Sequence, residues 1–166
     1  SASHYWPLGE DSGTAGFDWA GSDDLTVNGA TRGLPGQNQT TSTKATDFAG
    51  ADGSFASTVS SEAGSNTFSV EAWFKTTSTS GGKIIGFGDN STGTSGSYDR
   101  HVYLSNDGRV TFGVYPNSVQ TLESGTGNND GTWHHVVGTL SSAGMTLYLD
   151  GALVGGRTDV TSAQGY

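Results

Sequence analysis

The segment DRHVYLSNDGRVTFGVY, residues 99–115, constrains the fold more than any other part of the chain. Val102 and Leu104 alternate with polar and aromatic residues, Asn106-Asp107-Gly108 interrupts them, and Val110, Phe112 and Val114 resume the alternation. A period of two puts alternate side chains on opposite faces of an extended strand, and Asp-Gly accepts the backbone angles of a tight hairpin turn. The segment therefore reads as two antiparallel strands with one apolar face. His101, Tyr103, Arg109 and Tyr115 stand on the other face.

The same pattern recurs along the chain. In TFSVEAWFKT, residues 67–76, Phe68, Val70, Ala72 and Phe74 point one way and Ser69, Glu71, Trp73 and Lys75 the other. GGKIIGFG, residues 81–88, reads as a short buried strand. Residues 133–140 form a strand, 141–144 turn, 145–149 return, and Asp150-Gly151 leads into 152–157. Weaker strands are expected at 4–8, 25–27, 44–48 and 54–59, and loops at 89–98 and 29–43. No window carries a helical period with caps, so almost no helix is expected. Short strands at turn-punctuated spacing predict an all-β, two-sheet antiparallel sandwich, and 166 residues suit one domain, 1–166.

Composition removes several function classes. The 16 acidic residues against 7 basic ones leave a net charge of −9, which argues against nucleic acid or an anionic membrane as partner. There is no cysteine, hence no disulfide and no thiolate metal site. No apolar run approaches the ~20 residues of a membrane-spanning helix. The opening SASHYWPLG reads as a mature segment with no signal peptide in view.

With the strands placed, HYWPLGE, FSVEAWFK, GGKIIGFG, YDRHVYLSNDGRVTFGVY and DGTWHHVVGTL…MTLYLDGALVG resemble the laminin-G-like (LamG-like) jellyroll domains of the concanavalin A-like lectin/glucanase superfamily. Such domains occur in secreted bacterial multidomain proteins. The resemblance runs from about His4 to the last residue and implies a jellyroll of two curved sheets that binds glycans or partner proteins, often with calcium at one rim. One departure stands out. Domains of this kind continue with a Trp-containing strand and a final strand that pairs near the N-terminal one, whereas this sequence reads Ala163-Gln164-Gly165-Tyr166. The expectation is a C-terminally incomplete jellyroll with an open apolar edge beside residues 4–8, completed by strands from another chain or fragment.

Catalysis finds little support. Retaining glycosidases of this superfamily carry paired carboxylates on one strand, about 5–5.5 Å apart. Glu10, Glu62, Glu71 and Glu123 are the only glutamates, and none has an acidic residue two positions away on a strand. No G-x-S-x-G is present, and GFGDNS, residues 86–91, lacks the third glycine and βαβ setting of a dinucleotide loop. His134 and His135 are strand neighbours, so their side chains leave opposite faces and share no metal. They read as structural histidines bonded to backbone.

The resemblance implies calcium, a hard cation that takes about 6–8 oxygens. Asp99 matches the Asp that precedes the hairpin strand in calcium-binding laminin-G domains, carbonyls would come from 161–164, and Asp89 and Asn90 border the same loop. Alternatively Asp99 caps a turn or pairs with Arg100. Asp23-Asp24 is a second acidic pair, open to the same two readings. For a glycan, the candidates are outward-facing His101, Tyr103, Tyr115 and Tyr148, whose rings stack on sugar C–H groups; the other reading is ordinary sheet surface. Trp73 is expected to pack under a loop, and Trp6, Trp19 and Trp133 in the core. Asn38-Gln39-Thr40 and Asn90-Ser91-Thr92 fit the glycosylation sequon. The function expected is a non-catalytic, extracellular, carbohydrate-binding module within a larger secreted or surface protein. The alternative is an adhesion or assembly module that takes a polypeptide, including a complementing strand.

Overall fold

Val102, Leu104, Val110, Phe112 and Val114 are all buried, so the hairpin alternation is realised residue by residue. A computed structural model describes residues 1–37 and 43–165 of the chain. The expected sequon at Asn38 lies outside the described residues. Helix is absent among them, and the thirteen strands form two compact units, Ser1–Glu62 with Asn90–Ser95 and Ala63–Asp89 with Gly96–Tyr166.

The first unit holds β1 (Ala15–Gly16), β2 (Leu25–Asn28), β3 (Ala30–Pro35), β4 (Lys44–Phe48) and β5 (Phe55–Thr58). They make an antiparallel sheet β1-β2-β5 and a ribbon β3-β4. Two expectations are corrected here. Residues 4–8 form no strand, because the Tyr5 N–H donates to the Asp18 carboxylate at 2.9 Å rather than to a ladder partner. Within the expected loop 29–43, β3 pairs with β4; its register shifts between Thr31 and Leu34, where Gly33 takes a left-handed φ of 73°. A bulge of this kind hides the period of two that sequence reading depends on.

The second unit holds β6 (Phe68–Phe74), β7 (Gly82–Gly88), β8 (Tyr98–Leu104), β9 (Val110–Val114), β10 (Gln120–Glu123), β11 (His134–Ser141), β12 (Gly144–Leu149) and β13 (Ala152–Arg157). They form two four-stranded antiparallel sheets, β10-β9-β8-β7 and β13-β12-β11-β6. Val102, Leu104, Val110, Phe112 and Val114 from the first join Val136, Leu140, Met145 and Leu147 from the second in one core. Phe68, Val70, Ala72 and Phe74 of β6 pack against it as expected. Closure depends on one absent side chain: a Cβ on Gly138 would lie 2.6 Å from Cδ2 of Phe112 across the core. The two strands of the β8–β9 hairpin are joined by a turn in which Gly108 N–H donates to Ser105 O at 3.0 Å and Gly108 takes φ of 79°.

Two details differ from the sequence reading. β7 is a half-buried edge strand with two register shifts, not a buried one. β10, QTLE, was not anticipated, since four residues with one apolar side chain carry too little periodicity.

Candidate functional site

The sheet β13-β12-β11-β6 sends every second residue outward. Along β11 the pattern is buried, half-buried in strict alternation, so His134, Val136, Gly138 and Leu140 face the core while His135, Val137 and Thr139 face away. Register then assembles the outer face. His135 lies opposite Trp73, Val137 opposite both Glu71 and Tyr148, and Tyr148 opposite Leu153. Trp73 and His135 stack with ring centroids 4.7 Å apart and planes 23° apart, and His135 Nε2 lies 4.0 Å from Glu71 Oε2. Trp73 is 52% exposed. It is therefore not packed beneath a loop: its position on an edge strand leaves one flank of the indole to solvent while His135 backs the other. Nothing in the EAW sequence distinguishes these outcomes, because the stack depends on cross-strand register.

The other sheet places the remaining candidates. His101 and Tyr103 share the outer face of β8, edge-to-face at 5.8 Å, and Tyr98 meets His101 at 5.4 Å. Lys83 lies opposite Tyr103 on β7, and Thr111 opposite it on β9. This face is less open than its alternation predicts, since Thr111 is 1% exposed. Burial, with the Lys83 charge adding to it, lowers the His101 pKa to about 4, so the ring is neutral near pH 7. Tyr115 follows β9 and is partly exposed. The four expected ligand residues do not converge: His101 and Tyr103 belong to one sheet, Tyr148 to the other.

Asp99 has a different role from that of an open metal ligand. It is 1% exposed, and its Oδ1 accepts the Tyr115 N–H at 2.7 Å. Its Oδ2 accepts from Arg100 Nη1 at 2.8 Å and the Gln164 N–H at 2.6 Å. Arg100 also donates to the carbonyls of Ser65 and Gln164 and sits 5.4 Å and 5.2 Å from the ring centroids of Phe68 and Phe87. A bulge makes this possible. On β8, Arg100 and His101 together oppose Gly86 between the pairs Val102↔Ile85 and Asp99↔Phe87, and Arg100 takes φ of 46°. Two of the oxygens expected to hold calcium, Asp99 Oδ2 and Gln164 O, thus already bind a guanidinium. Asp89 Oδ1 accepts the Gly96 N–H at 2.8 Å, and hydrogen bonds from Ser97 and Gly96 hold its carboxyl below the usual range against the opposing effect of burial. Among the described residues no group of three or more His, Cys, Asp or Glu is placed to hold a metal. The residues do not fit calcium at Asp99 and Asp89, and the Arg100 pairing is the arrangement found.

The other singled-out residues are structural. His134 Nδ1 is 2.8 Å from Asp150 Oδ2 and its Nε2 is 3.3 Å from Asp130 Oδ1, so it is held by carboxylates and not by backbone. Asp23 is buried and accepts the N–H groups of Val59 and Ser60 at 3.3 Å, while Asp24 accepts the Asp18 N–H at 2.9 Å. Asn90 Oδ1 accepts the Thr92 N–H at 3.1 Å, closing a local turn. Trp6 and Trp133 are half-buried, but Trp19 is exposed rather than in the core.

No helix long and apolar enough to cross a membrane occurs among the described residues. No curated protein and no solved structure matches the chain. Residues 48–166 match a laminin-G family of the concanavalin A-like lectin/glucanases superfamily. This span contains both four-stranded sheets of the second unit. With its helix-free sandwich core and outward-facing aromatic surfaces, the chain belongs to this laminin-G family of binding modules.

Proposed function

We propose that the protein is a non-catalytic, extracellular carbohydrate-binding module and that the outer face of β13-β12-β11-β6 receives the sugar. The observation that supports this reading is the half-exposed Trp73 indole stacked on His135 at 4.7 Å. A flat ring held from behind loses little freedom when a pyranose C–H face settles on its open side. Glu71 and His135 offer an acceptor and a donor at the ring edge, and Tyr148 extends the aromatic surface one strand further. The ionic neighbour of Glu71 is His135, not a second carboxylate, which is why the reading is binding without hydrolysis. Glycan-array binding of the purified chain, with Trp73→Ala beside it, tests the proposal. Affinity should fall about tenfold or more in the variant, as loss of ~1.4 kcal/mol or more requires. Equal binding by the two proteins, or hydrolysis of any bound polysaccharide, refutes it.

A second reading has its own support. β13 is an edge strand among the described residues, and its Leu153 and Val154 are 62% and 36% exposed. An edge of this kind accepts a strand from another polypeptide. Concentration-dependent association that Leu153→Lys abolishes would favour assembly over sugar binding.

A further inference from the structure

Residues 1–24 lie outside the matched span and carry the most exposed large apolar side chain of the described residues, Trp19 at 73%. Its indole meets the Tyr5 ring edge-on, with centroids 6.2 Å apart and planes 88° apart. An indole left in water forgoes the stabilisation that burial would bring, yet the backbone beneath it is tightly tied. The Asp18 side chain is fully enclosed, and its Oδ1 accepts the N–H groups of Tyr5 (2.9 Å), Gly21 (2.9 Å) and Ala20 (3.1 Å). Its Oδ2 takes His4 Nδ1 at 2.7 Å and the Asp23 N–H at 3.2 Å. The Trp19 N–H itself donates to Tyr5 O at 2.8 Å. One carboxylate thus fixes the backbone of the two segments that bear the rings, and the rings meet edge to face with both largely exposed.

We infer that Trp19 and Tyr5 form a second sugar-stacking platform, independent of Trp73, that takes a neutral pyranose. The inference rests on the glycan-binding reading above but on different residues. Three observations select this occupant. The exposed large apolar residues of 1–24 are Tyr5, Phe17 and Trp19, all aromatic, and ring faces suit sugar C–H groups. Three partly exposed rings fall well short of the ~800 Å² per partner that a stable protein interface buries. Glu10 is neutralised by Arg32, and the acids left beside this segment, Asp24 at Asp18 N and Glu62 near His4, disfavour carboxylated or sulfated polymers.

The test titrates the full chain with cellohexaose, laminarihexaose, xylohexaose and mannohexaose, with polygalacturonate as the anionic probe, by tryptophan fluorescence and calorimetry. The wild type should bind at least one neutral hexasaccharide and not polygalacturonate. Trp19→Ala should weaken by about tenfold a binding event that Trp73→Ala leaves in place, and Trp19→Phe should retain part of it. Because the indole is exposed, far-ultraviolet circular dichroism of the variants should match that of the wild type. Unchanged hexasaccharide binding in Trp19→Ala overturns this platform and leaves the Trp73 reading standing. Binding of none of the hexasaccharides by the wild type overturns both, and preference for polygalacturonate overturns the neutral-sugar assignment.

Discussion

Arg100 Nη1 lies 2.8 Å from Asp99 Oδ2, an ion pair between chain neighbours that are both 1% exposed. Consecutive strand residues ordinarily face opposite ways; here the left-handed turn at Arg100 brings both inward. The guanidinium then bonds Ser65 O on one side and Gln164 O on the other, linking the segment before β6 to the segment after β13. Arg100→Ala leaves the Asp99 carboxylate buried without its cation, and should cost about 3–5 kcal/mol of unfolding free energy. Urea denaturation checks this. Loss of less than ~1 kcal/mol would mean that the pair is not the tie it is drawn as.

Calcium follows from the same geometry. Asp99 already accepts three N–H bonds, so calcium and chelator should leave the melting temperature of the wild type unchanged. A calcium-dependent rise in that temperature would show that the ion displaces Arg100.

Gly138 and Phe112 hold the two sheets of the second unit together by contact across the core. Gly138→Ala should destabilise by about 1–3 kcal/mol, the usual cost of overpacking. Phe112→Leu added to it should recover part of the loss in thermal denaturation, since the narrower side chain yields space. Strict additivity of the two substitutions would refute the contact.

His134 should add stability to the second unit that is greatest on the acidic side of neutral. Burial lowers its pKa, but the hydrogen bonds it donates to the Asp150 and Asp130 carboxylates outweigh burial and raise it above the usual 6.5. A raised histidine stabilises fully below its unfolded pKa, and that contribution is lost as pH rises through the folded value. Asp150 and Asp130 are held below their ordinary range by His134 and neighbouring N–H groups. Their contribution is present above the ordinary carboxylate range, about pH 4, and lost as pH falls through their depressed values. The melting-temperature difference between the wild type and His134→Phe should therefore be largest from about pH 4 to 6.5 and shrink on both sides of that window, whereas His101, lowered to about 4 by burial, removes stability from both proteins alike as pH falls below 6.5.

Tyr103 and Tyr148 occupy different sheets, so they should behave as separate surfaces. Tyr148→Ala should weaken sugar binding at the Trp73 face, while Tyr103→Ala should leave it within about twofold of the wild type. Strong coupling between the two substitutions in a double-mutant cycle would place them in one site after all.

Much of this fold was legible in the chain. Phe68/Val70/Phe74, Val102/Leu104 and Val110/Phe112/Val114 keep a strict period of two, and a sheet buried on one face has no other way to satisfy it. The turns at Asp107-Gly108 and Asp150-Gly151 were equally plain, and Lys44–Phe48 was legible as a weaker strand. What escaped was whatever breaks the period. The bulge at Gly33 concealed β3, the Asp18 carboxylate replaced a ladder for residues 4–8, and β10 was too short to register.

The sequence alone determined which side chains share a face, because alternation is a local property of the extended backbone. Only the tertiary structure decided which faces meet, since that depends on register between strands distant in sequence. The Asp18 carboxylate set Trp19 beside Tyr5 in the open, and register stacked Trp73 on His135 and parted Tyr148 from Tyr103. It also turned Asp99 toward Arg100, because a buried carboxylate takes the nearest cation that the fold can bring to it.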